Sequence, residues 1–363
     1  LDSATDTVHV ALGERGYDIH IGTGILRDAG QAITGLTRVS HAVIITDENV
    51  DQTYAEVVAD SLADCGVRVD VLAIEAGEAS KSVECLATLW EHLLDIGTDR
   101  KSIVVAVGGG VVGDLAGYVA ASFARGLAFV QVPTTLLADV DSSVGGKVGI
   151  NLPAAKNMVG SFWQPLVVLI DTQALDTLPV REYRAGLAEV VKYGVILDET
   201  FFEYLESHVA AINDRDHEAL GHVIARCCRL KADVVQADER DMTGLRAVLN
   251  YGHTFCHAIE AVSGYGEWLH GEAVSIGMVA AARLAQGMDR VPPEFTSRLV
   301  RLLEALELPV QMPNLDHDAL LAAMQRDKKS EHGRLRFILP TRLGHVEFVD
   351  DVPQDLVRAA FDV

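Results

Sequence analysis

The stretch that most narrows the fold is Ser102-Ile-Val-Val-Ala-Val107, followed at once by Gly108-Gly109-Gly110-Val111-Val112-Gly113-Asp114. An apolar run of strand length needs burial on both faces, which a parallel sheet covered by helices supplies. The glycines then turn the chain into a helix whose first N–H groups are available to an anion. The turn satisfies G-x-G-x-x-G but departs from the usual dinucleotide fingerprint: it comes late in the sheet, and no acid follows about 20 residues on. By itself such a turn is a weak signal, since glycine can serve geometry alone, but composition and spacing together favour a nucleotide-binding domain. Asp47, at the end of an earlier strand, and Glu78 in Gly-Glu-Ala-Ser-Lys are better placed to grip ribose hydroxyls.

The flanking sequence supports a sheet of this kind. Residues 7–12 and 17–21 read as a hairpin, and strands are expected at 41–45, 67–73, 102–107, 127–132 and 166–170. Helical patterns at 50–62 and 82–94 lie between them. Strands alternating with helices imply βαβ units and a mainly parallel sheet. Past residue 171 the period becomes helical, with helices expected at 184–196, 217–235, 246–263 and 273–286. Only 335–339 and 345–349 read as strands, a small hairpin. The expected organisation is an α/β nucleotide-binding domain over 1–170 and a mainly α-helical metal- and substrate-binding domain over 171–363.

Charge limits the partners. With 30 basic against 52 acidic residues the formal net charge is −22, which argues against nucleic acid and anionic membranes. No apolar run approaches membrane-spanning length, and no signal-peptide pattern precedes the first strand. The chain starts at Leu1 rather than Met, and a short leader is expected to precede it. Cys65, Cys85, Cys227, Cys228 and Cys256 form an odd set without framework spacing, as expected of reduced thiols in a cytoplasmic protein.

Against that background, histidines and lysines stand out. His253 and His257 are four apart in a helical pattern, so their imidazoles share one face. His270 offers a third imidazole, and Glu189, in Ala-Glu-Val-Val-Lys, a carboxylate. Imidazole and carboxylate donors suit zinc, and three of them leave a position open. The pair alone fits ordinary core or surface histidines better than a metal site; the rest of the chain shifts that balance. Residues 133–147, Pro-Thr-Thr-Leu-Leu-Ala-Asp-Val-Asp-Ser-Ser-Val-Gly-Gly-Lys, could wrap an anion in backbone N–H groups, with Lys156-Asn157 close behind. A connecting loop with a solvated lysine is the simpler account of that stretch. Lys192 one turn from Glu189, Arg246 and Asn250 before His253, and Lys328-Lys329 make a set of cations and polar groups around the candidate ligands. Such a set fits an anionic substrate with more than one charged group.

Together these motifs resemble the 3-dehydroquinate synthases, within the sugar phosphate cyclases. The resemblance spans nearly the whole chain: GGGVVGDLAG at 108–117, RG at 125–126, PTTLLADVDSSVGGK at 133–147, KNMVG at 156–160, AEVVKYG at 188–194, NYGHTF at 250–255, HGEAV at 270–274 and DKK at 327–329. It implies a homodimer with an N-terminal NAD-binding α/β domain and a helical C-terminal domain. The implied metal ligands are Glu189, His253 and His270, for zinc or alternatively cobalt; His257 becomes a substrate-side residue. Implied NAD-binding positions are Asp47, Glu78, Lys81, Gly108, Gly109, Gly110, Asp114, Thr134, Thr135, Asp141, Lys156 and Thr177. Implied substrate positions are Lys147, Asn157, Lys192, Lys231, Arg246, Asn250, His257 and one of Lys328 or Lys329, with Lys329 preferred. Arg125 resembles the arginine that reaches the neighbouring subunit's phosphate pocket. Cys256 departs from the family, which often has glycine there, and is expected to be a small buried side chain rather than a further ligand.

The resemblance implies conversion of 3-deoxy-D-arabino-heptulosonate 7-phosphate, a phosphorylated sugar acid, to 3-dehydroquinate and phosphate. Transient oxidation at C5 acidifies the C6 proton, phosphate is eliminated, C5 is reduced again, and ring opening and aldol closure follow. Lys192 and His257 are the expected proton relays, and Lys147 and Arg246 the expected partners of the anionic groups. Two alternatives share much of this pattern: a metal-dependent NAD alcohol dehydrogenase of the glycerol type, and another sugar phosphate cyclase. Lys147, Lys156-Asn157 and Asp327-Lys328-Lys329 count against the first, and Arg246 with Asn250 against the second.

Overall fold

The computed structural model describes residues 5–153, 155–264, 266–327 and 336–362. The chain forms two compact units, Leu1–Leu178 with Leu220–Arg240, and Pro179–Ala219 with Asp241–Val363. The first crossing falls eight residues beyond the expected end at 170, and the segment 220–240, expected in the helical domain, belongs to the first unit.

The first unit is built on seven strands: β1 (Asp6–Val10), β2 (Tyr17–Gly22), β3 (His41–Asp47), β4 (Arg68–Ile74), β5 (Ile103–Gly108), β6 (Ala128–Pro133) and, after a separate hairpin, β9 (Val167–Asp171). Their order is β1-β2-β9-β6-β5-β3-β4. Strands β1 and β2 pair antiparallel as the expected hairpin, and the remaining pairs are parallel. The alternation of β5 explains its continuous apolar sequence. Val104 and Ala106 enter one core with helices α3 (Val83–Asp95) and α4 (Gly110–Ser122), while Ile103, Val105 and Val107 enter the other with α1 (Ala29–Leu36) and α2 (Glu56–Asp64). Both faces of the strand are thus buried, as a central parallel strand requires.

Strands β7 (Lys147–Leu152) and β8 (Ala155–Phe162) form an antiparallel hairpin directly after the polar stretch 133–147, where the sequence names no strand. Only Val148 and Ile150 bury their side chains against the first core, so the alternation is too short to stand out. Close backbone pairing is possible because Gly149 faces Gly160 across the ladder.

The second unit contains α5 (Val180–Leu197), α6 (Glu199–Ser207), α7 (Val209–Asn213), α9 (His253–Ser263), α10 (His270–Gly287), α11 (Pro293–Ala305), α12 (His317–Asp327) and α13 (Gln354–Ala359). Helix α8 (His217–Ala237) runs mostly within the first unit. Strands β10 (Arg336–Arg342) and β11 (His345–Asp350) make the small hairpin expected near the C-terminus. The single helix expected at 246–263 is interrupted. Leu245–Asn250 is a short 3-10 turn, Gly252 takes a left-handed φ of 80°, and a fresh helix begins at His253.

Candidate functional site

Helices α5, α9 and α10 bring three side chains of the second unit together. Glu189 faces inward from the middle of α5 and is 1% exposed. His253 and His270 are the first residues of α9 and α10. Two close approaches set those helix ends. At Gly252 a Cβ would lie 2.8 Å from the backbone nitrogen of Met278 on α10, and at Gly271 it would collide with the backbone of Ala185 on α5. The start of α10 is also held by Glu272, whose Oε2 accepts the Leu269 N–H at 2.8 Å while Arg181 grips both carboxylate oxygens. Capping by an acid three residues into a helix follows from its unsatisfied first N–H groups.

The resulting geometry is directional. His253 Nε2 lies 3.6 Å and His270 Nε2 3.7 Å from the same oxygen, Oε1 of Glu189. His253 Nδ1 donates to the Tyr251 carbonyl at 3.2 Å, which leaves its Nε2 as an acceptor. Burial, reinforced by the charge of Lys192, holds the His253 pKa well below the ordinary imidazole range, so the neutral ligand form prevails. The other Glu189 oxygen, Oε2, is ion-paired with buried Lys192 one turn along α5. The donor atoms of Glu189, His253 and His270 all lie within 4.8 Å of one another. A tetrahedral zinc site has donors roughly 3.4 Å apart for bonds of about 2.05 Å, so this donor set fits a divalent cation.

His257 belongs to neither group of potential metal donors among the described residues; its ring lies edge-on to His253, 5.6 Å between centroids. The candidate donor set thus pairs His253 with His270 from another helix rather than with His257 four residues on. Cys256 is fully buried, and its thiol, pushed up by burial, sits 3.7 Å from His270 Nδ1, on the side of that ring away from Glu189. Arg246 is buried in the 3-10 turn, and Asn250 at its end is exposed. Lys328 and Lys329 lie outside the described residues.

In the first unit Asp47, Glu78, Gly108, Thr134 and Thr135 stand at or just past the carboxyl ends of β3, β4, β5 and β6. The connection from β3 leads outward to β4, whereas that from β5 leads the opposite way to β6. Their following helices, α2 and α4, accordingly lie on opposite faces. Adjacent strands whose connections diverge leave a crevice at their carboxyl ends, and Asp47 of β3 and Gly108 of β5 flank it. A Cβ at Gly109 would meet Thr135 Cγ2 at 3.0 Å and one at Gly110 would meet Ser142 Oγ at 3.1 Å, so the turn has no room for larger residues. Thr134 donates its N–H to the Gly108 carbonyl, and Thr177 contacts the Tyr54 hydroxyl at 2.7 Å. The glycine cradle and the N-terminus of α4 fit a pyrophosphate.

A polar network joins several nominated residues and one that sequence reasoning missed. Lys81 Nζ lies 2.7 Å from Asp114 Oδ2 and 2.6 Å from Asn157 Oδ1. Asn151 donates to Glu78 at 2.7 Å and accepts the Asn157 N–H at 2.8 Å. Asn151 thus ties the β7–β8 hairpin to the Glu78 turn; its visible signal was only its place in a short apolar alternation. Lys231 on α8 binds both the carbonyl and the carboxylate of Asp141. Lys147, Lys156 and Arg125 are exposed, and Arg125 adopts a left-handed φ of 71°. The cavity of about 520 Å³ along β4 and α3 is lined by none of the nominated residues.

This combination is the architecture of the sugar phosphate cyclases. A 2-deoxy-scyllo-inosose synthase solved with carbaglucose-6-phosphate, NAD+ and Co2+ superposes with a TM-score of 0.89 at 27% identity, covering 98% of this chain and 99% of that one. A 2-epi-5-epi-valiolone synthase from Streptomyces hygroscopicus, solved with NAD+ and Zn2+, gives a TM-score of 0.87 at 30% identity over 96% and 97%. Within that class the chain belongs to the 3-dehydroquinate synthase family. The family's N-terminal model matches residues 71–185 and its C-terminal model residues 186–330. The 3-dehydroquinate synthase of Rhodopirellula baltica is 52% identical, covering 98% of this chain and 96% of its own, and that of Desulforamulus reducens is 48% identical over 96% and 97%. A glycerol dehydrogenase from Schizosaccharomyces pombe shares the fold, with a TM-score of 0.66 at 20% identity. Neither alternative raised by the sequence is favoured.

Proposed function

We propose that this chain converts 3-deoxy-D-arabino-heptulosonate 7-phosphate to 3-dehydroquinate and phosphate, as a cytoplasmic homodimer. The observation that carries the reading is the convergence of His253 and His270 on one oxygen of buried Glu189, in a chain about half identical to 3-dehydroquinate synthases. Glu189, His253 and His270 would hold a divalent ion, zinc or cobalt. The turn at Gly108, Gly109 and Gly110, with Asp47, Glu78, Lys81, Asp114, Thr134, Thr135, Asp141, Lys156 and Thr177, would hold NAD. When bound, the ion would supply polarisation of a substrate hydroxyl and NAD the reversible removal of hydride.

The chain's own side chains do the rest. Lys147, Asn157, Lys231, Arg246, Asn250 and one of Lys328 or Lys329 would bind the substrate's carboxylate, phosphate and hydroxyls. Arg125 serves the phosphate pocket of the neighbouring subunit. Lys192, its Nζ paired with Glu189, and exposed His257, edge-on to His253, would move a proton at the C5 oxygen. Lys147 and Arg246 stabilise the departing phosphate.

The test is a phosphate-release assay with the heptulosonate phosphate, run with NAD and zinc while absorbance from NADH is followed. Phosphate in many-fold excess over enzyme and NAD, without steady NADH accumulation, is expected, because the product keeps the C5 alcohol. NADH formed one-to-one with product would overturn the reading.

A further inference from the structure

His270 is held from both sides of its ring. Its Nε2 faces Glu189, while its Nδ1 lies 3.4 Å from Oε1 of Glu260, one further turn along α9 from Cys256. Glu260 is 9% exposed, an unusual position for a carboxylate unless it meets a donor. The Cys256 thiol also approaches Nδ1, at 3.7 Å, but can give its proton to the His270 carbonyl at 3.8 Å. A carboxylate only accepts, so the Nδ1 proton belongs with Glu260.

We infer that Glu260 is a positioning residue: it accepts the Nδ1–H of His270, fixes the tautomer that presents the Nε2 lone pair beside Glu189, and strengthens that nitrogen as a donor. Histidines that bind metals depend on such acceptors for orientation and basicity, and losing the acceptor typically weakens metal binding about 10–100-fold. The inference rests on the reading of Glu189, His253 and His270 as the metal site.

The experiment measures zinc dissociation constants of the full-length chain by competition with a chromogenic chelator, together with absorption spectra of the cobalt-loaded proteins and melting temperatures of the metal-free ones. His253→Ala tests the underlying site: zinc affinity equal to that of the parent would sink the metal reading itself. With that site upheld, Glu260→Met, similar in size but without the acceptor, should weaken zinc binding about 10–100-fold and shift the cobalt spectrum, at a metal-free melting temperature near the parent's. Glu260→Gln keeps a neutral acceptor oxygen and should lose less, about threefold or more. Cys256→Ala should stay within about twofold of the parent. Parent-like affinity and spectrum in Glu260→Met would overturn the inference; should that variant not fold, parent-like behaviour of Glu260→Gln would do so. A loss in Cys256→Ala equal to that in Glu260→Met would overturn it in favour of the thiol.

Discussion

Lys81 and Asp114, 33 residues apart in sequence, meet at 2.7 Å with the lysine side chain only 5% exposed. Burial pushes the Asp114 carboxyl up, and Lys81 pulls it back toward the charged form. Replacing Lys81 with Met should therefore strand a part-buried carboxylate, its side chain 20% exposed, and cost on the order of 2 kcal/mol. Asp114→Asn in the same chain should restore most of the loss. Denaturant unfolding of the two single variants and the double variant, all without cofactor, measures the coupling; strictly additive losses would show that the pair acts through something other than its charges.

Gly252 should not tolerate even a methyl group. Its φ of 80° disfavours any side chain, and a Cβ would lie 2.8 Å from the Met278 nitrogen. Gly252→Ala should cost about 2 kcal/mol or more in stability. Because His253 follows directly, zinc affinity should fall at least about tenfold. Chelator competition and thermal melting check the two effects separately, and a variant with parent-like zinc affinity would show that α9 can shift without disturbing the donors.

Asp139 predicts a dependence on pH. Its two carboxyl oxygens have no hydrogen-bond partner among the described residues, and burial followed by the charge of Asp171 holds its pKa well above the ordinary 3.8. The folded state binds this proton more tightly than the unfolded state. The contribution to stability is therefore complete below pH 3.8 and is lost as pH rises through the elevated folded value. Asp139→Asn should melt at a higher temperature than the parent at pH 8, by on the order of 3 °C, with a smaller advantage at pH 4.5. A gap that stays constant across that range would exclude titration of Asp139 as its cause.

Lys147 and Arg246 should matter to turnover well beyond ordinary surface charge. Lys147 is exposed at the first position of β7, whereas Arg246 is buried in the turn before α9. Either change to Ala should lower kcat/KM at least about tenfold, as loss of a desolvated anion's partner does. Lys101→Ala, on an exposed turn, should leave kcat/KM unchanged. Parent-like kinetics in both of the first two variants would place the substrate's anionic groups elsewhere.

Much of this protein was legible in its sequence because the relevant signals are local. Apolar runs of strand length alternating with helical periods dictate a parallel sheet, since only helices on both faces bury such strands. The glycines at 108–110 mark the turn into α4, and the motifs around Glu189, His253 and His270 name the candidate donors through the family resemblance. Tertiary structure decided the rest. Helical spacing puts His253 and His257 on one face, but which nitrogen meets which oxygen depends on how α5, α9 and α10 approach one another. That approach is governed by Gly252 and Gly271, whose missing side chains let backbones touch. The same holds for the pairing of Lys231 with Asp141, 90 residues apart, and for the return of 220–240 to the first unit. Periodicity along a chain records which face of an element is buried; it carries no record of the partner that buries it.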